Sequence, residues 1–434
     1  METYSATPDR DVAGTGGSGS GTGVGAGAGR AGDRVPGQAL GPGRAGSRAP
    51  VTVVLIGAFG AFLGFSLVFP IVPEYAAHGG AGELGAGLAT AVFILATVLV
   101  QPAAARMLTT AGHRAALLTG VILLGPPTIL PLLSDRLAVI DLSSLLRGAG
   151  FGIFVVAGVA TILDLPSPRA GRGRNLGRYA AITGAAGILG TPAGTWLVPR
   201  AGYPTVFAVA TVAPLILLVG AHTIRLPRPP RPAHRPRAGA QRRGHGPDRR
   251  GRLPAALADP ALRRLFTIEL ASTVGYGVAF TFLPLAAPPH PAWAVPAAFL
   301  VQQTTATTAR WVTGTWADHH DTRRLLRPAA TLAALGLSSC AYPQDPVLLL
   351  AGMALFGAGF GALQNATLMA MLDQTDTPTA SVAWNLAFDS GTGLGAAGGA
   401  LVLQAAGPVV TFLATAGTMV VSALPRLRIA AARR

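Results

Sequence analysis

Long apolar runs separated by short polar connections dominate the chain from residue 51 onward. Each run covers about 17 to 25 residues, which is the length that an α-helix needs to cross a hydrocarbon core of about 30 Å. The pattern predicts an all-α integral membrane protein with twelve spanning helices. Their approximate bounds are 51 to 73, 84 to 105, 114 to 133, 138 to 164, 176 to 198, 204 to 224, 265 to 287, 292 to 315, 325 to 342, 346 to 372, 380 to 404 and 408 to 425.

Polar segments divide these runs into two sets of six. Residues 1 to 50 are largely Gly, Ala, Ser and Thr with scattered Arg and Asp, a composition that predicts a disordered tail. A helical bundle is then expected over 51 to 224, an arginine- and proline-rich linker over 225 to 264, a second bundle over 265 to 428, and a short tail over 429 to 434. The first apolar run starts too late for a signal peptide.

The positive charge of the chain follows the same pattern. All 34 basic residues are arginine, charged residues make up only 12% of the chain, and the net charge is +16. If the N-terminus is cytoplasmic, 31 arginines fall in the tails, in the even-numbered connections or near the span ends beside them, two fall outside, and Arg147 falls deep within a span. This bias fits the positive-inside rule and predicts a multi-pass protein of the plasma membrane with both termini in the cytoplasm. Arginines clustered between apolar runs favour contact with lipid over nucleic-acid binding.

The two sets of six helices repeat one another. The motif GAGFG occurs at 148 to 152 and again at 357 to 361, and an aspartate follows each copy after twelve residues. Other matches, such as Tyr179 with Trp384 and Gly190 with Gly395, keep an offset between 205 and 211 residues. Because each set has an even number of spans, the halves share one orientation in the membrane. This is the parallel repeat of transporters that bind substrate at the midplane between their halves.

Several polar residues fall inside the apolar runs. A charge at the bilayer centre costs at least about 2.5 to 3.5 kcal/mol on insertion scales, so such residues usually face a cavity. Arg147 and Asp389 are candidates for coupling or translocation, with a static ion pair or a structural hydrogen bond as the alternatives. Glu269 is either a proton carrier or a headgroup-level residue, since it lies only five positions after Arg264. The candidates for the substrate cavity are Gln302, Gln364, Asn365 and Asn385, whose alternative role is hydrogen bonding between helices.

Motifs in the connections and in the fifth span make the chain resemble the major facilitator superfamily, and its bacterial drug and sugar efflux permeases in particular. In that family the loop after helix 2 carries a glycine, an aspartate and paired basic residues, and it controls gating. The second-half copy here keeps Arg310, Gly314, Asp318, Arg323 and Arg324, whereas the first-half copy keeps only Gly112 and Arg114. The resemblance also relates Arg147 to the helix 4 arginine linked to proton coupling. Gly187, Gly190, Pro192 and Gly194 are similar to the helix 5 motif that marks antiporters.

The resemblance implies proton-coupled efflux of a small organic molecule by alternating access, with an uptake symporter on the same fold as the alternative. A non-transporting membrane protein is a less favoured interpretation. The expected partners are the substrate, protons and membrane lipid, and the expected state is a monomer. We expect no ATP hydrolysis, because without lysine the chain has no Walker A motif. We expect no other enzymatic activity, because no cluster of His, Cys or paired carboxylates converges in the sequence, and we expect neither a metal nor a cofactor.

Overall fold

The computed structural model describes residues 49–165, 169–224, 249–288, 291–317 and 320–424. Every regular element in these ranges is helical. The expected N-terminal tail up to residue 48, the linker from 225 to 248 and the C-terminal tail lie outside the described residues. The α-helices within the ranges are α1 (Ala49–Val68), α2 (Ile71–Ala76), α3 (Gly82–Thr110), α4 (His113–Leu124), α5 (Leu137–Asp164), α6 (Arg169–Leu215), α7 (Leu217–Gly220), α8 (Arg249–Leu257), α9 (Pro260–Ala286), α10 (Ala294–Ala317), α11 (Leu326–Ser338), α12 (Pro346–Leu372) and α13 (Thr377–Ala423).

Aspartates begin three of the helices that follow residue 249. The side chains of Asp259, Asp345 and Asp376 accept hydrogen bonds from backbone N–H groups in the first turns of α9, α12 and α13. A proline at one of the first two helical positions follows each aspartate, where its fixed φ suits a helix and its missing N–H costs nothing. This local chemistry fixes where these three helices start.

Glycines interrupt the two longest helices at related positions. α6 and α13 each contain 47 residues, about 70 Å of helix and more than twice the thickness of a hydrocarbon core. Gly202 in α6 has φ +76° and Gly407 in α13 has φ +77°, values that an L side chain rarely adopts. The two positions differ by 205 residues, which is the offset of the sequence repeat in this region.

Seven helical stretches among the described residues are long and apolar enough to cross a membrane. Three of them exceed 40 residues: 50–110, 174–223 and 379–423. The third and ninth expected spans are helical but partly of 3-10 type, over Pro126–Leu132 and Ser339–Ala341. Pro126, Pro127 and Pro131 explain the first of these, because proline removes the N–H donor of an α-helical turn. The count of twelve spans stays a prediction.

The packing of the helices repeats along the chain. Within residues 49–224, here called the front half, α1 packs on α6 and α3 on α5. Within residues 249–424, the back half, α9 packs on α13 and α10 on α12, which are the equivalent pairs. The halves meet through α3 with α13 and through α6 with α10, so the interface also repeats its pairing.

Stacked aromatic rings mark the same repeat at the centre of each half. Phe65 stacks on Phe151 with ring centroids 4.3 Å apart, and their equivalents Tyr276 and Phe360 stack at 5.0 Å. The equivalent residues Phe69 and Phe280 approach each other across the halves, at 6.0 Å. Internal duplication is therefore visible in side-chain packing as well as in sequence.

Candidate functional site

Glu269 lies at the centre of a polar cluster in the back half. It projects from α9 and has 0% of its surface exposed. Its Oε1 accepts a hydrogen bond from Gln364 Nε2 at 2.7 Å, and its Oε2 lies 2.6 Å from Thr367 Oγ1. Gln364 and Thr367 lie nearly one turn apart on α12, so they face the carboxyl group together. The carboxyl group of Glu269 is therefore enclosed by protein.

Thr367 can satisfy Glu269 in either protonation state. Its hydroxyl has one proton, and its oxygen lies 2.6 Å from Glu269 Oε2 and 2.8 Å from Leu363 O. When Glu269 is ionised, Thr367 donates to it. When Glu269 carries a proton, the carboxyl group donates to Thr367, whose own proton turns to Leu363 O. Trp384 Nε1 of α13 also contacts this group, donating at 3.3 Å to Thr367 Oγ1.

Arg310 belongs to the same cluster. It interacts electrostatically with Glu269 and Tyr276, and its guanidinium lies 5.9 Å from the centroid of the Phe360 ring. By accessible surface area the Arg310 side chain is exposed. The sequence pattern placed Arg310 with the gating loop. It lies seven residues before the end of α10, about 10 Å of helix rise, where it interacts with the buried carboxyl group.

Asp389 connects the two halves. Gln101 Nε2 of α3 donates a hydrogen bond at 3.3 Å to Asp389 Oδ2 of α13. Asn385, one turn before Asp389, is exposed and donates to Ser381 O of its own helix at 2.8 Å. The partner of Asp389 is therefore a residue of the other half rather than Asn385.

Arg147 is a buried charge on α5 with 2% of its surface exposed. Its guanidinium lies 5.5 Å from the centroid of the Phe93 ring, and its Nε has no hydrogen-bond partner. Among the described residues it forms no ion pair, so a static ion pair does not account for it. Arg147 lines a small cavity together with Ser144, Phe69 and Phe93. The hydroxyl group of Ser144 also has no hydrogen-bond partner among the described residues.

Two of the remaining cavity candidates differ sharply. Gln302 is 0% exposed, and neither of its amide atoms has a partner among the described residues. Asn365 donates from Nδ2 to Arg310 O at 3.0 Å, so its role is to join α12 to α10. Sequence alone did not distinguish these amides, because facing within the bundle decides which of them is paired.

The expected gating residues lie at the ends of helices in both halves. Gly112, at φ +90°, joins α3 to α4, and Arg114 is exposed in the next turn. Gly314 lies in α10 near Asn365, whereas Arg323 and Arg324 are exposed in the 3-10 turn Thr322–Leu325. Asp318 lies outside the described residues.

A side-chain contact that the motifs did not indicate joins the start of α4 to the end of α5 in the front half. His113 Nε2 lies 3.2 Å from Asp164 Oδ2, and His113 Nδ1 lies 3.2 Å from Thr161 Oγ1. The only available signal was the aspartate that follows each GAGFG copy.

The glycine and proline motif of α6 takes part in two helix contacts, one with α1 and one with α10 of the other half. At Gly190 and Gly194 an added methyl group would collide with Ser66 and with Leu67 O of α1, so the motif permits close packing inside the front half. Gly187 faces the other half, where its carbonyl accepts from Gln303 Nε2 of α10 at 3.5 Å. Pro192 lies inside α6, between Gly190 and Gly194.

Comparison with known proteins gives results at the level of family and fold. A family model described as the Major Facilitator Superfamily matches residues 54–376. No curated protein sequence matches the chain. The chain is similar to the crystal structure of the nucleoside transporter NupG, with a TM-score of 0.63 and 14% identity over 86% of this chain and 97% of that one. A mutant of NupG gives a TM-score of 0.66 and 15% identity over 86% and 98%. At such identity the likeness is one of fold.

Proposed function

The chain belongs to the Major Facilitator Superfamily, and on this premise we propose that it is a proton-coupled transporter that exports a small organic molecule by alternating access. Its family makes it a secondary transporter of the membrane. The buried carboxyl group of Glu269, held between neutral donors and next to Arg310, is the observation that carries the proton-coupled part of the proposal.

The proposed topology has twelve spans, with both termini in the cytoplasm of a plasma-membrane protein. The three stretches that exceed 40 residues each supply two crossings, divided near Gly80, Gly202 and Gly407. Four shorter stretches supply one crossing each. α10 and the helical segment from 326 to 341 supply the last two. This topology supports the parity that the arginine distribution requires.

In the proposed cycle Glu269 gains and loses the coupling proton. Thr367 keeps Oε2 of Glu269 hydrogen-bonded in both states, so the carboxyl group keeps this partner whether or not it carries the proton. Arg310 senses the change, because its attraction to Glu269 exists only while Glu269 is ionised. Asp389 and Gln101 form a contact between the halves that must break when the halves rock apart. Gln302, with free amide atoms in a buried position, is the substrate contact that we favour among the amides.

Export is the proposed direction because the motif around Gly187, Gly190, Pro192 and Gly194 is similar to that of antiporters. Uptake by proton symport on the same fold is the second candidate. The similarity to a nucleoside transporter makes a nucleoside a natural first probe.

The test is transport by the full chain in membrane vesicles of both orientations, with uridine and the planar cation ethidium as probes. We expect a proton gradient to drive accumulation into inside-out vesicles, and we expect Glu269→Gln to abolish it, since an amide cannot carry the proton. Glu83→Gln, an exposed carboxyl group at the start of α3, is the matched control and should retain transport. Accumulation only in right-side-out vesicles would establish uptake. Transport by Glu269→Gln at the unmodified rate would contradict coupling through this residue.

A further inference from the structure

A basic cleft lies at one end of the back half, away from Glu269. It has a volume of about 420 Å³ and lies between the start of α9, the 3-10 turn before α11 and the residues just after α12. Its polar lining consists of four arginines and one glutamine: Arg264, Arg323, Arg324, Arg327 and Gln374. In the proposed topology this end faces the cytoplasm, at the depth of the lipid headgroups.

No carboxylate of the described residues compensates the positive charge of this cleft. No carboxylate lines it, and within the described ranges none of the four guanidinium groups forms an ion pair. The nearby Asp259 and Asp321 cap helical turns by accepting from backbone N–H groups. Arg264 is half-buried, its Nη2 donates to Ala423 O at 3.2 Å, and its Nε is buried without a partner. Donors are thus available, and at least one of them is held out of water.

Like charges around one cleft repel each other, so an anion that enters it is stabilised by all of them. Guanidinium groups present paired N–H donors whose geometry matches phosphate oxygens. The volume fits a group as large as a phosphodiester with its glycerol portion, because ligand pockets typically enclose about 300 to 1,000 Å³.

We propose that this cleft binds a phosphate-bearing anion. Two sources share that chemistry: the headgroup of an anionic phospholipid and a soluble phosphate. Ala261, which is exposed, lines the cleft beside the arginines together with the buried Leu265 and Leu326, so part of the cleft wall is apolar, as the glycerol portion of a lipid requires. Basic pockets between helices on the cytoplasmic side recognise such headgroups.

The test uses the full-length protein purified in neutral detergent and measures the midpoint of thermal unfolding. Dioctanoyl phosphatidylglycerol is the anionic lipid probe, dioctanoyl phosphatidylcholine is its zwitterionic counterpart, and sodium phosphate is the soluble probe. The variants are Arg327→Gln and Arg264→Gln, each compared with its own midpoint without ligand. Arg263→Gln is the matched control, because Arg263 is exposed on the same turn of α9 and does not line the cleft.

We expect phosphatidylglycerol to raise the midpoint in a saturable and salt-sensitive way, while phosphatidylcholine has little effect. Loss of one charge-assisted contact should weaken the apparent affinity by about tenfold in either cleft variant and leave Arg263→Gln unchanged. If sodium phosphate reproduces the shift with the same dependence on Arg327, the anion site stands and its ligand is soluble. Arg327 is exposed, so its replacement does not endanger folding. No shift with either anion, or equal shifts in Arg327→Gln and Arg263→Gln, would overturn the proposal.

Discussion

At the scale of single residues, buried polar groups without hydrogen-bond partners lower the free energy of unfolding. Arg147 holds a positive charge inside the front half with an aromatic ring as its described contact. Gln302 keeps both ends of its amide group unpaired. Natural proteins rarely retain such groups unless a ligand or a change of state uses them.

Replacing Arg147 with methionine should therefore separate stability from transport. Arg147→Met removes the charge and keeps an unbranched side chain, so we expect it to stabilise the protein by roughly 2 to 3 kcal/mol and to abolish proton-coupled transport. The unfolding midpoint in detergent and vesicle transport are the two readouts. Arg200→Met, at an exposed arginine that stacks on Trp196, is the control and should change neither. A lower midpoint for Arg147→Met would mean that the charge is compensated in the folded protein.

Sequence reasoning identified the charged residues inside the apolar runs more readily than it identified the residues that contact them. A charge inside an apolar run is visible from hydropathy, which is why Arg147, Glu269 and Asp389 stand out. Their partners come from distant segments: Gln364 follows Glu269 by 95 positions, and Gln101 precedes Asp389 by 288. Arg310 was grouped with the gating loop because its motif is a loop motif, although the expected span from 292 to 315 contained it, as helix α10 does.

At the scale of elements, glycines set how closely helices approach. Gly148 and Gly152 of α5 lie against backbone atoms of α3, and their equivalents Gly357 and Gly361 of α12 lie against α10. The repeat of GAGFG was visible in the sequence. The helix that packs against each copy was not predictable, because many segments of the chain are rich in Gly and Ala and offer the same small side chains.

Gly361→Ala tests this packing against a glycine in an open position. Its methyl group would meet Ala306 backbone atoms, so α12 and α10 must separate and the protein should lose about 1 to 3 kcal/mol of stability. Gly184→Ala is the control, because Gly184 in α6 has nothing within 4 Å of the added methyl group. Alanine favours a helix over glycine, so the control should equal or slightly exceed the unmodified protein in thermal unfolding. A Gly361→Ala protein as stable as the control would contradict close packing at this crossing.

At the scale of the whole molecule, the interface between the halves is built from small and aromatic residues with few polar contacts. Gly87 of α3 lies against Ala396 and Ala400 of α13, and Phe69 approaches Phe280. The overall architecture was predictable because membrane-spanning length and duplication are encoded in hydropathy. The contacts between the halves were not, since they depend on which conformation of the transport cycle is adopted.

A disulfide across this interface should stop transport. If Gly393 were replaced, the Cβ of the new residue would lie 3.6 Å from the Cβ of Ile94, within the range that a disulfide requires. We expect Ile94→Cys with Gly393→Cys, in a Cys340→Ala background, to lose transport on oxidation and to regain it on reduction. The control pair is Gly79→Cys with Asp135→Cys, which lies inside the front half at a corresponding distance of 3.5 Å and should transport normally when oxidised. Undiminished transport by the fully oxidised interface pair would contradict rocking of the halves.

Helix α10 takes part both in the polar cluster around Glu269 and in the interface between the halves. It presents Arg310 to the carboxyl group of Glu269 and, two turns away on the same side, Gln303 to Gly187 of the opposite half. If Glu269 takes up a proton, its attraction to Arg310 is lost while Thr367 needs only to turn its hydroxyl. Because Arg310 and Gln303 share this helix, a tilt of α10 would carry that local change to the contact with the opposite half, as a lever does.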